Sequence, residues 1–258
     1  MNTGFVTFCT ENYLSIINNL LESVLKFSKH EITVYTINFD HNFNTDRVDS
    51  KRINLEDLTY YNICKAKIIA SVDSKYDYCL ILDGDMIATP EIDNIFSENR
   101  DKISDCKFPL FAKHPHNPFE NPSHKNNLIN LINRYTDKSP KIKYVYASYL
   151  FTNKSKWFLE EVLSEMNLLK NNPGEDEFVI NALLTKYQVE YDIGYNYLPN
   201  CTEKIVEYYL NGDIEGKAEL YDTYLKYDCP LEFYIFHGHK CKDVEFSREL
   251  IKKMEKTK

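Results

Sequence analysis

Two carboxylates separated by one glycine, Asp83-Gly84-Asp85, close the apolar run Tyr78-Cys79-Leu80-Ile81-Leu82. An apolar run of this length, bounded by polar residues, reads as a strand covered on both faces. In an extended chain, side chains two apart leave on the same side, so Asp83 and Asp85 are expected to project together. Gly84 removes a side chain where something must come close. At the C-terminal end of a central strand, such a pair can hold a divalent cation together with a phosphate-bearing ligand. The same residues also make an acidic turn that stops a hydrophobic strand, because Asp and Gly are common turn residues. Spacing alone does not separate the two readings.

Three further sets of residues can do chemistry. Thr7, Cys9 and Tyr13 lie at the end of the first strand-like run, where open parallel sheets bind nucleotides. The Tyr13 ring either stacks on a base or packs on its own helical turn. Asp176 opens a helix-like segment, where an Asp is either the N-cap or a carboxylate facing a ligand. His114, His116 and His124 stand in a proline-rich stretch with a spacing able to bind zinc. No Cys or carboxylate accompanies them in a recognisable pattern. A surface loop, or part of an acceptor side, is therefore the expected use of that stretch.

The elements that must position these residues follow in order. Phe5 to Cys9 is strand-like, and Leu14, Ile17, Leu21, Val24 and Leu25 repeat at helical spacing, which predicts a helix over about 12–27. Ile32 to Ile37 is the next strand, so the chain opens as a βαβ unit with a parallel sheet. Asn38 to Asp49 reads as a loop. A second helix over 60–71 turns Ile63, Ala66, Ile69 and Ala70 to one side, with Lys65 and Lys67 in its middle. After Asp85, Thr89 as cap and Pro90 in the first turn predict a short helix. Further strands are expected over 108–112, 144–152 and 232–236, and further helices around Leu128–Ile132, from Ser155 to about 169, from Asp176, within 211–227 and at the C-terminus.

At 258 residues the chain is within reach of one large domain, and no repeat or low-complexity linker divides it. A single domain over 1–258 is the economical reading, with a nucleotide-binding half over about 1–105 and an acceptor half over about 106–258. The net charge of −8 argues against a nucleic-acid surface, although it leaves room for one small basic pocket. Seven cysteines, an odd number without a C-x-x-C pair, point to a reduced intracellular protein. No signal peptide is visible and no apolar run approaches the ~20 residues that span a bilayer. The expected location is cytoplasmic, unless the chain is a domain of a longer one.

Taken together, these pieces resemble the GT-A class of nucleotide-sugar glycosyltransferases, and within it glycosyltransferase family 8, to which glycogenin belongs. Leu80-Ile81-Leu82-Asp83-Gly84-Asp85-Met86 resembles the family's Asp-x-Asp strand, and Glu91 to Phe96 the segment that trails it. Lys67 stands sixteen residues before Asp83, where the family places a Lys or Arg facing the nucleotide sugar. Tyr146-Ala147-Ser148-Tyr149-Leu150-Phe151-Thr152-Asn153 is similar to the Asn-Ser/Ala-Gly strand, with Tyr146 and Ser148 in place of the Asn and the Gly that meet the sugar. Asp176-Glu177-Phe178-Val179-Ile180-Asn181 resembles the Asp-Gln-Asp-x-x-Asn helix start, with Glu177 and Phe178 in place of Gln and Asp. Phe236-His237-Gly238-His239-Lys240 resembles the late Phe-x-Gly-x-x-Lys signal, although the Gly-to-Lys spacing is one shorter.

The resemblance implies an α/β GT-A fold with a central, mostly parallel sheet flanked by helices. It also implies a UDP-sugar donor, a glycan, protein or small-molecule acceptor, and retention of anomeric configuration. Asp83, Asp85 and His237 are its implied ligands to Mn²⁺, or Mg²⁺, since hard oxygens suit both and one imidazole favours Mn²⁺. Thr7, Cys9, Tyr13, Lys67, Gly84, Ser148, Gly238 and Lys240 are its implied donor-binding positions, and Asp176 faces the donor sugar or the acceptor. Two other functions fit parts of the pattern. A sugar-1-phosphate nucleotidyltransferase would need a Gly-rich loop near the N-terminus, and Gly4 is the only glycine in the first 80 residues. A catalytically inert nucleotide-sugar-binding protein would keep the fold without turnover.

Overall fold

The computed structural model describes residues 2–113, 122–140, 145–169, 176–189, 202–223 and 233–256. Its first half is built from β1 (Thr3–Thr10), α1 (Leu14–Phe27), β2 (Glu31–Ile37), β3 (Val48–Ile53), α2 (Tyr60–Val72) and β4 (Tyr78–Ile81). After the short β5 (Met86–Ala88) come α3 (Asn94–Glu98), α4 (Arg100–Asp105), β6 (Leu110–Lys113) and α5 (Pro122–Tyr135). The rest comprises β7 (Val145–Thr152), α6 (Lys156–Leu168), α7 (Asp176–Lys186), α8 (Glu203–Asn211), α9 (Ile214–Thr223), β8 (Ile235–His237) and α10 (Val244–Lys256).

Six strands form one sheet in the order β3-β2-β1-β4-β7-β6. β1 pairs in parallel with both β2 and β4, and β2 with β3. β7 runs antiparallel to β4, and β6 antiparallel to β7, so β7 is the single reversed strand. This is the mostly parallel α/β sheet of the GT-A fold. Helices cover both faces: α1 packs with α10, while α2 packs with α6 and α7. Phe5, Val6, Leu80, Ile81 and Leu82 are fully buried between these layers, as expected for strands covered on both sides.

The order matters for function. From β1 the chain moves to β2 and β3 on one side, then returns to β4 on the other. The C-terminal ends of β1 and β4 therefore flank a topological switch point, where open α/β sheets leave a crevice for ligands.

Several local expectations are corrected. The stretch read as a loop over 38–49 runs into β3, an edge strand in which only Ile53 is buried. Charged edge strands carry no hydrophobic alternation, so the pattern was invisible. The helix expected at Thr89 starts instead at Asn94. Thr89 is committed elsewhere, because its hydroxyl donates to the carbonyls of Phe233 and Tyr234 just before β8. On α2 the buried side keeps the predicted Ala66 and Ala70 but is rotated away from Ile63 and Ile69. Cys64, Ala66, Lys67, Ile68, Ala70 and Ser71 are buried, whereas Ile63 and Ile69 are only half-buried. The helix expected within 211–227 is α9 over Ile214–Thr223, with 224–227 outside the described residues, and the sequence pattern missed α8, which ends just before it at Gly212 with φ of +74°.

Of the histidine stretch, His114 and His116 lie outside the described residues, and His124 belongs to α5. The predicted helix end at Asn171–Gly174 also lies outside them. No helix among the described residues is long and apolar enough to cross a membrane.

Candidate functional site

At the switch point the structure opens a cleft of about 330 Å³. The end of β1 contributes Cys9 and Thr10, and the 3-10 turn that follows contributes Tyr13. Lys67 comes from α2, Asp176 and Glu177 from the start of α7, His237 from the end of β8 and Lys242 from the 3-10 helix after it. Asp83, Gly84 and Asp85 form its floor where β4 ends.

Asp83 and Asp85 do not project together as an extended strand would require. The chain turns at Gly84 and Asp85 before β5 begins, so the two carboxylates part. Asp83 faces α2, where its Oδ1 lies 2.8 Å from Lys67 Nζ. Asp85 faces the ribbon made by β5 and β8. There the antiparallel register sets Met86 opposite His237, which brings the imidazole beside the neighbouring Asp85. His237 Nε2 is 3.4 Å from Asp85 Oδ1, and Lys242 Nζ is 3.4 Å from Asp85 Oδ2. What comes close to Gly84 is the protein itself: a Cβ there would lie 3.3 Å from Ile17 Cδ1 and 3.7 Å from the Phe8 carbonyl oxygen.

Lys67 and Asp176 are the most enclosed charges in the cleft, each with its side chain 7% exposed. The Lys67 ammonium also lies 3.7 Å from Asp176 Oδ2. Burial works against the Lys67 charge, but the carboxylates of Asp83 and Asp176 outweigh it and hold its pKa above the ordinary lysine value. At Asp85, burial pushes the carboxyl upward, yet the hydrogen bond and charge of His237, with Lys242 behind them, leave its pKa at about 2. Lys242 is likewise held charged against burial by Asp85 and by a hydrogen bond with Tyr13. The cleft thiols are poor nucleophiles. Burial pushes Cys9 up to about 12, and burial followed by the Asp176 charge raises Cys64.

The cleft thus brings together Cys9, Tyr13, Lys67, Asp83, Gly84, Asp85, Asp176 and His237 from the residues singled out in the sequence. Thr7 is not at its surface: it is fully buried on β1, and its Oγ1 has no hydrogen-bond partner among the described residues. Ser148 is buried on β7, its hydroxyl 3.5 Å from the Ile81 carbonyl oxygen, beneath the floor and not in it.

Lys240 is the clearest departure. Its ammonium pairs with Glu203 on α8 at 2.6 Å and lies over the Phe246 ring. Gly238, with φ of +119° and ψ of −173°, makes a bend that other residues avoid and starts a 3-10 helix over His239–Lys242. At three residues per turn, side chains two apart leave in different directions. Lys242 therefore faces the cleft while Lys240 faces out. Lys242 was missed because the match stopped at the first lysine after the glycine. Glu177, read only as a replacement in the helix-start motif, is a cleft residue as well.

The donor set of Asp85 and His237, one carboxylate oxygen and one imidazole nitrogen 3.4 Å apart, has the chemistry of a Mn²⁺ or Mg²⁺ site. It is incomplete as it stands. Among the described residues no three His, Cys, Asp or Glu side chains converge as a metal-holding group, because Asp83 is turned onto Lys67.

The chain shares its fold with solved glycosyltransferases of the GT-A type. The galactosyltransferase LgtC, solved with donor and acceptor sugar analogues, superposes with a TM-score of 0.56 at 14% identity, covering 96% of this chain and 95% of that one. Mouse xyloside xylosyltransferase 1 superposes with a TM-score of 0.53 at 10% identity, over 93% of this chain and 98% of that one. The glycosyltransferase GlyE of Streptococcus pneumoniae TIGR4 gives a TM-score of 0.51 at 15% identity, over 98% of this chain and 62% of that one. No family model and no curated protein sequence matches the chain.

Proposed function

We propose that the protein is a glycosyltransferase that moves a sugar from a UDP-linked donor to an acceptor hydroxyl, with a divalent cation and with retention of configuration. The observation that carries this reading is the meeting of Asp85, His237 and Lys242 at the switch point of a GT-A sheet, next to Lys67 and Asp176. Breaking a bond to a diphosphate leaving group builds negative charge, and the cleft supplies two held ammonium groups where a diphosphate would lie. Such charge raises the rate only as far as it binds the departing UDP better than the intact donor. Asp85 and His237 would hold the cation, which when bound acts as a Lewis acid on the leaving group.

The other residues have positional roles in this reading. Tyr13, in the turn that follows β1, presents its ring to the cleft for stacking on the uracil. Cys9 gives an uncharged, apolar wall beside it. Asp176, held by Lys67 at the start of α7, faces the region of the donor sugar and orients a sugar hydroxyl or the acceptor. Gly84 is part of the floor, and Thr7 and Ser148 are buried behind the cleft surface.

The test is turnover of a panel of UDP-sugars, with MnCl₂ and with EDTA, by the wild-type chain and Asp85→Asn. Release of UDP that requires the metal and falls by on the order of 10²-fold in the variant is expected. ¹H NMR of the first-formed product reads retention or inversion. Measurable UDP binding without turnover of any donor would point to the inert nucleotide-sugar-binding protein instead.

A further inference from the structure

Both aspartates of the cleft floor already carry a lysine. Asp83 is 2.8 Å from Lys67 and Asp85 is 3.4 Å from Lys242. The two lysines differ in freedom: the Lys242 side chain is 38% exposed and can swing into solvent, whereas that of Lys67 is 7% exposed. Lys67 is also anchored on its far side by Asp176 at 3.7 Å, on a different helix. A divalent cation that engages Asp83 must either displace this ammonium or stand next to it. Displacement strands a buried charge, and close approach of like charges inside a partly closed cleft is costly.

From this arrangement we infer that Lys67 is an internal counter-cation that keeps Asp83 from the metal until a diphosphate arrives. The inference rests on the reading of the cleft as a metal–diphosphate site and adds a positioning role for Lys67 within it. A nucleoside diphosphate brings the negative charge that lets an ammonium and a divalent cation share the cleft. The diphosphate then takes the place of Asp83 beside Lys67, which keeps Asp176, and Asp83 is released to the cation beside Asp85 and His237. Metal and nucleotide binding are thereby coupled, each raising the affinity of the other by the same factor.

The experiment is titration with MnCl₂ followed by loss of the free-Mn²⁺ electron paramagnetic resonance signal, without and with UDP, for the wild-type chain, Lys67→Gln and Asp176→Asn. The wild-type chain is expected to bind Mn²⁺ weakly alone and at least about ten-fold more tightly with UDP. Lys67→Gln is expected to bind Mn²⁺ alone at least about ten-fold more tightly than wild type and to narrow the gain from UDP. A merely structural role would not produce that gain, since disruption of the cleft weakens binding. Folded Lys67→Gln with unchanged or weaker affinity for Mn²⁺ alone would overturn the inference while leaving the metal reading intact. Should Lys67→Gln not fold, Asp176→Asn decides: it leaves Lys67 to Asp83 alone, so weaker binding of Mn²⁺ alone is expected and tighter binding overturns. Absence of Mn²⁺ binding to the wild-type chain even with UDP would overturn the metal reading and this inference together.

Discussion

Lys240 and Lys242 stand two apart in sequence and face opposite surroundings, which makes them a matched pair for testing what the cleft needs. Lys242 is held between Asp85 and Tyr13. Lys240 is tied to Glu203 at the surface. Losing a held ammonium aimed at a leaving group costs on the order of 10² in rate. Lys242→Ala is therefore expected to lower kcat/KM for the UDP-sugar by about that factor, and Lys240→Ala to leave it within about two-fold, since exposed ion pairs contribute little. Steady-state rates of UDP release for the two variants check this, and equal effects would remove Lys242 from the site. The same residues show the limit of motif matching. Spacing along the chain located the segment after β8, but a 3-10 helix in place of an extended or α-helical path decides which lysine turns inward, and Gly238 sets that path through its positive φ.

At the scale of elements, two glycines make contrasting predictions. A Cβ on Gly4 would lie 2.3 Å from Tyr76 Cε1, in a fully buried ring that reaches from Gly4 of β1 to the Thr33 hydroxyl of β2. Gly4→Ala forces that ring or the strand to move, and overpacking of this kind typically costs about 1–3 kcal/mol. The Cβ of Gly84→Ala meets only the terminal Ile17 Cδ1 at 3.3 Å, which can yield, so a much smaller loss is expected. Urea unfolding of the two variants orders them. At the far end of α2, Asp73 joins the helix to the edge of the sheet, accepting from Tyr35 of β2 at 2.8 Å and pairing with Lys51 of β3 at 2.8 Å. Burial raises the Asp73 pKa, but Lys51 and Tyr35 outweigh it and the net shift is downward. A depressed folded pKa gives stability that is present above the unfolded value of about 3.9 and disappears as pH falls through the folded one. Wild type should be more stable than Asp73→Asn at pH 7, by less than about 1 kcal/mol because the pair is exposed, and the gap should narrow as pH falls below about 3.9. A gap that persists there would remove this pair as its source. These contacts also show why β3 was not legible. It owes its place to hydrogen bonds with β2 and to charged partners, neither of which leaves a hydrophobic period, whereas β1, β2, β4 and β7 were readable from their buried apolar runs. The turn at Gly84 was hidden for a related reason, because a strand that ends one residue early changes no residue type.

At the scale of the whole molecule, the cleft is assembled from chain segments that lie at opposite ends of the sequence. Cys9 and Tyr13 come with the first strand, and His237 and Lys242 come with the last. The two ends are held to each other independently of the cleft: Lys26 of α1 pairs with Glu255 of α10 at 2.6 Å, and Asn19 donates to the Val244 carbonyl oxygen at 3.3 Å. A ligand that bridges the β1 end, Lys67 and the β8 segment therefore needs the complete fold and has no counterpart site in the unfolded chain. Binding to the folded state alone stabilises it by about 2.7 kcal/mol when the ligand is at 100 times its Kd. For a chain of this size each kcal/mol moves the melting temperature by roughly 2–4 °C, so UDP with Mn²⁺ should raise it by roughly 5–10 °C. Because each aspartate of the floor is already paired with a lysine, Mn²⁺ alone is expected to give a smaller rise than the two together. Without ligand Asp85→Asn should melt below wild type, because it removes a carboxylate held ionised by His237 and Lys242, and with ligand it should lose most of the rise, since that carboxylate is the group on which both converge. Scanning calorimetry or dye-based melting with UDP, MnCl₂ and both separates these cases, and equal rises for wild type and Asp85→Asn would mean that the bridging ligand does not use the carboxylate at the centre of the cleft.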